Sequence, residues 1–270
     1  MFKSFIEETL SRAGKIVMKS FGHIASVWTK GDQSNIVTEV DLKSEKFITD
    51  KIHKKFPSHN IIAEETGFQN RHSEYTWVID PIDGTSNYAG GLSWFGVMMA
   101  LLKNWQVVEA GIYLPFYKEV YYARKDYGSL LNNELIRVNQ ERKLKNVLVS
   151  YGIDYSEDTN KTKQEIRIVE SLVARVRNLR MTNSVVDFCY VASGKLGAYI
   201  NQASMIWDNA ASYLLIKEAG GEMTDIDGKP LYFNVNKDNY KKNYTYIAAG
   251  KYLHSQLVKL VKEAKSVNVK

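Results

Sequence analysis

A buried strand that ends in two carboxylates has few ways to fold, and residues 77–85 encode one. The apolar run Trp77-Val78-Ile79 stops at Asp80, Asp83 follows three residues later, and Gly84 and Thr85 come next. The β-branched and aromatic content predicts a buried strand. Pro81 has no N–H for a sheet ladder, so the strand is expected to stop there. Two carboxylates at the end of such a strand repel each other and are costly to desolvate. A positive group should sit between them, and a hard divalent cation with oxygen ligands is the natural candidate. Gly84 and Thr85 offer backbone N–H groups and a hydroxyl, which suit a phosphate.

The rest of the chain is large enough to support such a site. With 270 residues and 44% hydrophobic content it can bury a sizeable core, as one large domain or two tightly joined halves. No stretch approaches the roughly 20 apolar residues of a membrane span. The first residues, Met1-Phe2-Lys3-Ser4-Phe5, lack the apolar core of a signal peptide. The single cysteine, Cys189, excludes an intramolecular disulfide, reads as a core residue, and fits a reducing, cytoplasmic setting. The net charge of +6 is diffuse and densest from Lys251 to Lys270. There lysines alternate with Leu257, Leu260 and Val261, as on an amphipathic helix with a solvated face rather than a nucleic-acid arm. A basic surface also attracts anionic substrates.

Helical spacing of Phe2, Phe5, Ile6, Leu10, Ala13 and Val17 predicts a first helix. Asp41 precedes a second, with Phe47, Ile48, Ile52 and Phe56, ended by Pro57. Ile61-Ile62-Ala63 is a short apolar stretch. From Phe95 to Val138 apolar runs are separated by Lys103-Asn104, Lys125-Asp126 and Asn132-Asn133, which predicts an antiparallel meander. Val147 to Ser150 reads as a strand. Lys161 to Val176 reads as a helix with Ile166, Val169, Leu172 and Val173 on one face. Ser184 and Asp187 resemble a capping box, and Gly194 can end that helix. Strand character returns at Leu196–Ile200 and at Tyr244–Ala249, with a helix from Trp207 to Gly220-Gly221 between them. Without repeats or a Rossmann glycine pattern, this order implies a layered α/β or α+β domain.

Several acidic residues lie at the edges of these apolar elements. Glu64 and Glu65 follow Ile61-Ile62-Ala63, Asp80 and Asp83 flank Pro81-Ile82, and Asp208 follows Trp207. Singly, each has an ordinary reading: Asp208 as a helix N-cap, Glu64-Glu65 as solvated charge, Asp83-Gly84 as a turn. Together they form a carboxylate set able to hold Mg²⁺, which favours octahedral oxygen ligation and is commonly shared with substrate phosphate. Two such ions can clamp both oxygens of an in-line displacement. His23, His53, His59, His72 and His254 are scattered without metal-site spacing.

Asp80-Pro81-Ile82-Asp83-Gly84-Thr85 resembles the signature of the inositol monophosphatase family of Mg²⁺-dependent, lithium-sensitive phosphatases. The resemblance extends over nearly the whole chain. Ile36-Val37-Thr38-Glu39-Val40-Asp41 is similar to the family's upstream strand and its terminal aspartate. Ala63-Glu64-Glu65-Thr66-Gly67 is similar to its Glu-Glu metal motif. Trp207-Asp208-Asn209-Ala210-Ala211-Ser212, with Glu218-Ala219-Gly220-Gly221, resembles its C-terminal signature. The resemblance implies an αβαβα sandwich of the inositol monophosphatase and fructose bisphosphatase type over residues 1–270. Its two packed halves would divide near 145–150, and the protein would be a homodimer. It implies two to three Mg²⁺ ions. Glu64, Asp80 and the Ile82 carbonyl would hold the first, Asp80, Asp83 and Asp208 the second, and Glu64 with waters a weaker third. Glu64 and Thr85 would orient the attacking water, with Asp41 hydrogen-bonded to the Thr85 hydroxyl. Gly84, Thr85 and Ser86 would bind phosphate.

The departures concern the alcohol half of the substrate. Where inositol-specific relatives carry a glutamate, this chain has Asn201. Asn183 stands where relatives have glycine, beside Ser184 in a segment that contributes to their substrate pocket. Asp83, Asn183, Ser184, Asn201 and Asp208 are therefore the expected substrate contacts. The implied reaction is hydrolysis of inositol 1-phosphate or another small polyol or sugar phosphate. A 3′-nucleotide bisphosphatase would carry Lys-Glu after Asp-Gly-Thr, and Ser86-Asn87-Tyr88 differs from that. Fructose 1,6-bisphosphate is a further substrate candidate. A regulatory role on the transcription machinery is the non-enzymatic alternative. The basic balance permits it, but no residue demands it, and a pure binder could lose Asp80, Asp83 or Asp208, which this chain keeps.

Overall fold

The computed structural model describes residues 2–24 and 26–266. Helices α1 (Phe2–Ser20) and α2 (Glu39–Lys55) form one outer layer. Phe5, Ile6, Leu10, Ala13 and Val17 of α1 are buried, as the spacing predicts. The strands β1 (Val27–Thr29) and β2 (Ile36–Thr38) pair as a separate hairpin leading into α2. Thr38 is the α2 N-cap, so Asp41 lies inside the first turn rather than before the helix. Its Oδ2 accepts from the Thr38 N–H at 2.8 Å, closing a capping box.

Behind these helices stands an eight-stranded mixed sheet, in the order β10-β9-β8-β7-β6-β5-β3-β4. Its members are β3 (Asn60–Ala63), β4 (Gly67–Gln69), β5 (Tyr75–Asp83), β6 (Gly96–Lys103), β7 (Gln106–Leu114), β8 (Glu119–Arg124), β9 (Gly128–Leu131) and β10 (Glu134–Ile136). The expected meander is present as β6 to β10, antiparallel throughout. The expected stop at Pro81 is not. Strand β5 continues to Asp83. Asp80 pairs with Met98 and Asp83 with Gly96, so β5 advances one residue more than its partner across Pro81. The bulge absorbs the missing N–H. It also has a functional consequence, because residues three apart on a regular strand face opposite sides. The extra residue lets Asp80 and Asp83 turn toward one point.

The second sheet runs β12-β11-β13-β15-β14. It comprises β11 (Leu148–Tyr151), β12 (Asn178–Arg180), β13 (Ala198–Ser204), β14 (Gly221–Thr224) and β15 (Tyr244–Gly250). Between the sheets lie α5 (Val185–Ala192) and α6 (Ile206–Glu218), whose Val186, Phe188, Ala210, Leu214 and Leu215 belong to the largest buried cluster, together with Cys189. Outside the second sheet lie α4 (Thr159–Val173) and α7 (Lys251–Ser266). The result is a helix–sheet–helix–sheet–helix sandwich, as the resemblance implied. On α4 the buried stripe is Glu165, Ile168 and Leu172, while Ile166 and Val173 are exposed. A reading that follows only apolar residues misplaces the stripe here, because a glutamate is its first member.

Candidate metal and phosphate site

The site forms where β5, α3 (Thr85–Ala89), α5 and α6 converge, and each element delivers its carboxylate by a local mechanism. Asp80 comes from inside β5 and is buried. Asp83 ends β5 and accepts a short hydrogen bond from the Val185 N–H, the first residue of α5. Asp208 sits in the first turn of α6, where its Oδ2 accepts from the Met205 N–H at 2.5 Å. It is not the N-cap, a place taken by Met205. Helix N-termini favour negative charge, so two of the three aspartates are held by helix starts. One oxygen from each of Asp80, Asp83 and Asp208 lies within 4.8 Å of the others.

This arrangement carries unsatisfied charge. Burial, then the neighbouring carboxylates, pushes Asp80 well above the usual range. Burial and Asp208's neighbour Asp83 raise Asp208 to about 7, and burial raises Asp83 to about 7 against the Val185 hydrogen bond. Asp80 Oδ1 is buried with no hydrogen-bond partner. Buried polar atoms are rarely orphaned, and a hard cation ligated by oxygens would satisfy this one. The donor set fits Mg²⁺.

Glu64 lies beside Asp80, on which it acts first among the neighbouring carboxylates, and it has a partner that the sequence did not predict. It borders the same cavity but lies outside the aspartate trio, with Oε1 2.7 Å from Lys30 Nζ. Lys30 also meets Glu65 at 2.7 Å. Burial opposes the Lys30 charge, yet the two glutamates keep its pKa above the ordinary lysine value. Burial raises Glu64 to about 8 despite that ammonium. The Glu64-Glu65 turn is itself fixed by Glu45, whose carboxylate accepts from the N–H groups of Glu65 and Thr66, both at 2.8 Å. Lys30 and Glu45 are absent from the sequence-based set. Lys30 sits in a polar hairpin turn that gives no signal. Glu45 did leave one: Asp41, Ser44 and Glu45 lie on the buried stripe of α2 with Ile48 and Ile52.

The phosphate side is built by Gly84 and the turn that follows. Gly84 caps α3 with φ +83°, and the first N–H groups of such a turn have no helical acceptor. The Thr85 hydroxyl lies 3.1 Å from Asp41 Oδ1 and 2.8 Å from the Ile82 carbonyl. The expected Asp41–Thr85 contact is therefore present, and the Ile82 carbonyl lies against the same hydroxyl while the Ile82 side chain is buried. Ser86 donates its hydroxyl to the Ser34 carbonyl at 3.3 Å, toward the β1–β2 hairpin. A Cβ on Gly84 would lie 2.5 Å from the Trp94 carbonyl oxygen. Gly84→Ala should lose about 1–2 kcal/mol to the left-handed backbone alone, and more to that overlap. A thermal melt at or above the wild-type midpoint would contradict this.

A model of the inositol monophosphatase family matches residues 2–266. The chain belongs to that family. It is 32% identical over 260 residues to a fructose-1,6-bisphosphatase/inositol-1-monophosphatase of Thermotoga maritima, covering 96% of this chain and 95% of that protein. It is 31% identical over 224 residues to the Nus factor SuhB of Pasteurella multocida, covering 82% and 84%. Among solved structures, an IMPase from Thermotoga maritima superposes with a TM-score of 0.83 at 32% identity, covering 95% of each chain. The extragenic suppressor protein suhB from Bartonella henselae gives 0.89 at 26% identity, covering 98% and 99%.

In this family member the cavity, of about 480 Å³, opens past the aspartates toward Asn183, Ser184 and Asn201. Ser184 caps α5 through its hydroxyl. Asn183 adopts a left-handed φ of +51°, a conformation that Asn tolerates better than most residues. Asn201 is already engaged at both ends: its Oδ1 accepts from the Ala203 N–H at 2.6 Å, and its Nδ2 donates to Asn183 Oδ1 at 3.0 Å. The cavity also borders Asp154, in the loop after β11, which the sequence reading did not single out. Burial raises its pKa, against a hydrogen bond from Asn183. No helix among the described residues is long and apolar enough to cross a membrane.

Proposed function

We propose that this chain is a Mg²⁺-dependent phosphomonoesterase that hydrolyses inositol 1-phosphate or a related small polyol or sugar phosphate. The observation that carries the reading is an aspartate trio with an orphaned oxygen, set directly against a glycine-initiated turn. Asp80, Asp83 and Asp208 would hold metal, with Glu64 and the Ile82 carbonyl completing the set. Bound there, Mg²⁺ neutralises phosphate charge and acidifies the attacking water. The N–H groups of Gly84 and Thr85 fix phosphate oxygens, with the Ser86 hydroxyl beside them. Thr85, aligned by Asp41, and Glu64 orient the water. The homodimer and cytoplasmic setting expected above belong to the same proposal.

The test is phosphate release from inositol 1-phosphate, fructose 1,6-bisphosphate, 3′-phosphoadenosine 5′-phosphate and β-glycerophosphate. Turnover should require Mg²⁺, stop in EDTA and be inhibited by Li⁺. Activity that survives EDTA would sink the mechanism. The name of the Thermotoga relative makes fructose 1,6-bisphosphate the second substrate to try. Silence on all four substrates would favour a regulatory role, consistent with the relative named a Nus factor.

A further inference from the structure

The alcohol side of the cavity holds a chain of hydrogen bonds with one direction. The Ala203 N–H donates to Asn201 Oδ1 at 2.6 Å. Asn201 Nδ2 donates to Asn183 Oδ1 at 3.0 Å, and Asn183 Nδ2 donates to Asp154 Oδ1 at 2.7 Å. Both ends are forced, since a backbone N–H can only donate and a carboxylate can only accept. Both amides are thereby oriented, and each carbonyl oxygen already accepts a hydrogen bond from within the protein. The close approach depends on Gly152, where a Cβ would collide with the Asn183 and Asn201 amides. Among the described residues, Asp154 makes no hydrogen bond besides the one to Asn183. Its second oxygen is the acceptor left at the end of the chain, on the wall of the cavity that also contains Asp83 and Asp208.

We propose that Asp154 is the residue that selects the alcohol: its carboxylate accepts the hydroxyls of a neutral polyol leaving group, and Asn183 is its positioning residue. The inference rests on the phosphatase reading above. Asn201 carries no charge and spends its oxygen on the backbone, so this chain places its hydroxyl-binding carboxylate on a different loop. A carboxylate there accepts a hydroxyl more strongly than an amide does. It also repels a second anionic group on the substrate. The preferred substrate is then a monophosphate with free hydroxyls beside the ester, ahead of a bisphosphate.

The test compares kcat/KM for inositol 1-phosphate with that for p-nitrophenyl phosphate, which has no hydroxyl to offer. Asp154→Asn, nearly isosteric, should lower that ratio roughly tenfold, through KM more than kcat. The same change should raise fructose 1,6-bisphosphate relative to inositol 1-phosphate. Asn183→Gly keeps the left-handed backbone and removes the support, so it should lower the ratio in the same direction by a smaller factor, again in KM. A ratio that stays at the wild-type value in both variants overturns the inference, as does an equal loss on both substrates. A wild-type protein that hydrolyses neither compound takes down the phosphatase reading and this inference with it. A wild type active on both whose ratio does not move in the variants overturns the inference alone.

Discussion

Asp83→Asn should abolish phosphate release while making the metal-free protein harder to melt. The two effects have one cause. Asp83 shares a space of less than 4.8 Å with Asp80 and Asp208, and its pKa is raised to about 7, chiefly by burial. An amide removes one of the repelling charges and can donate to a neighbouring carboxylate. Its remaining oxygen can keep the hydrogen bond from the Val185 N–H, so α5 retains its attachment to β5. The same exchange removes an anionic oxygen from the proposed metal set. Loss of a residue that only supports a metal ligand typically costs about 10–100-fold, and a ligand itself should cost at least the upper figure. Steady-state assays at saturating Mg²⁺, paired with melts in EDTA, read both effects. Turnover near the wild-type rate would remove Asp83 from the metal set. A lower melting point in EDTA would show that its charge is not under repulsion.

The aspartate trio was legible because each member ends or opens an apolar element, and element boundaries leave marks in sequence. Asp80 and Asp83 interrupt a strand, and Asp208 follows the Ile206-Trp207 pair that begins a helix. The bulge at Pro81 was not legible. Proline predicts that pairing breaks, but whether the strand ends or steps over one residue depends on its partner β6. Asp41 was found, yet its place inside α2 depended on Thr38 acting as the cap. Lys30, Glu45 and Asp154 were missed for a common reason. Each acts on residues distant in the chain, Lys30 on Glu64 and Glu65, Glu45 on the Glu65 and Thr66 amides, Asp154 on Asn183. Spacing along a chain reports neighbours on one element. It does not report which other element the fold brings against them. Asn201 shows the converse: the residue at an expected position was found, and its hydrogen bonds had already been taken by Ala203 and Asn183.

Metal-free protein should lose stability as pH rises from about 6.5 to about 8.5, and Mg²⁺ should restore more of it at the higher pH. Asp83 and Asp208 are raised to about 7 and Glu64 to about 8 in the folded state, with Asp80 raised as well. In the unfolded chain these carboxylates titrate near their ordinary values, about 3.9 for Asp and 4.3 for Glu. Over the chosen range the folded state therefore holds protons that the unfolded state has already released. Stability changes with pH as the protons bound by the unfolded state minus those bound by the folded state, so the slope is negative. It persists until pH passes the raised values. His59 and His254 are lowered by burial and act in the opposite sense, but their contribution fades within about one unit above the ordinary histidine value of 6.5. Above about pH 7.5 the raised carboxylates therefore dominate over the histidines. A cation that binds only the folded state stabilises it by mass action, and protons compete with it for the same oxygens. Calorimetric melts at both pH values, in EDTA and in excess Mg²⁺, give four midpoints. The Mg²⁺ shift should be larger at about pH 8.5, by several degrees if one to two protons are displaced. In Asp83→Asn both the EDTA slope and the Mg²⁺ shift should shrink together, because they arise from the same charges. A metal-free midpoint that rises with pH, or a Mg²⁺ shift equal at the two pH values, would mean that the repulsion among these aspartates is not what the cation relieves.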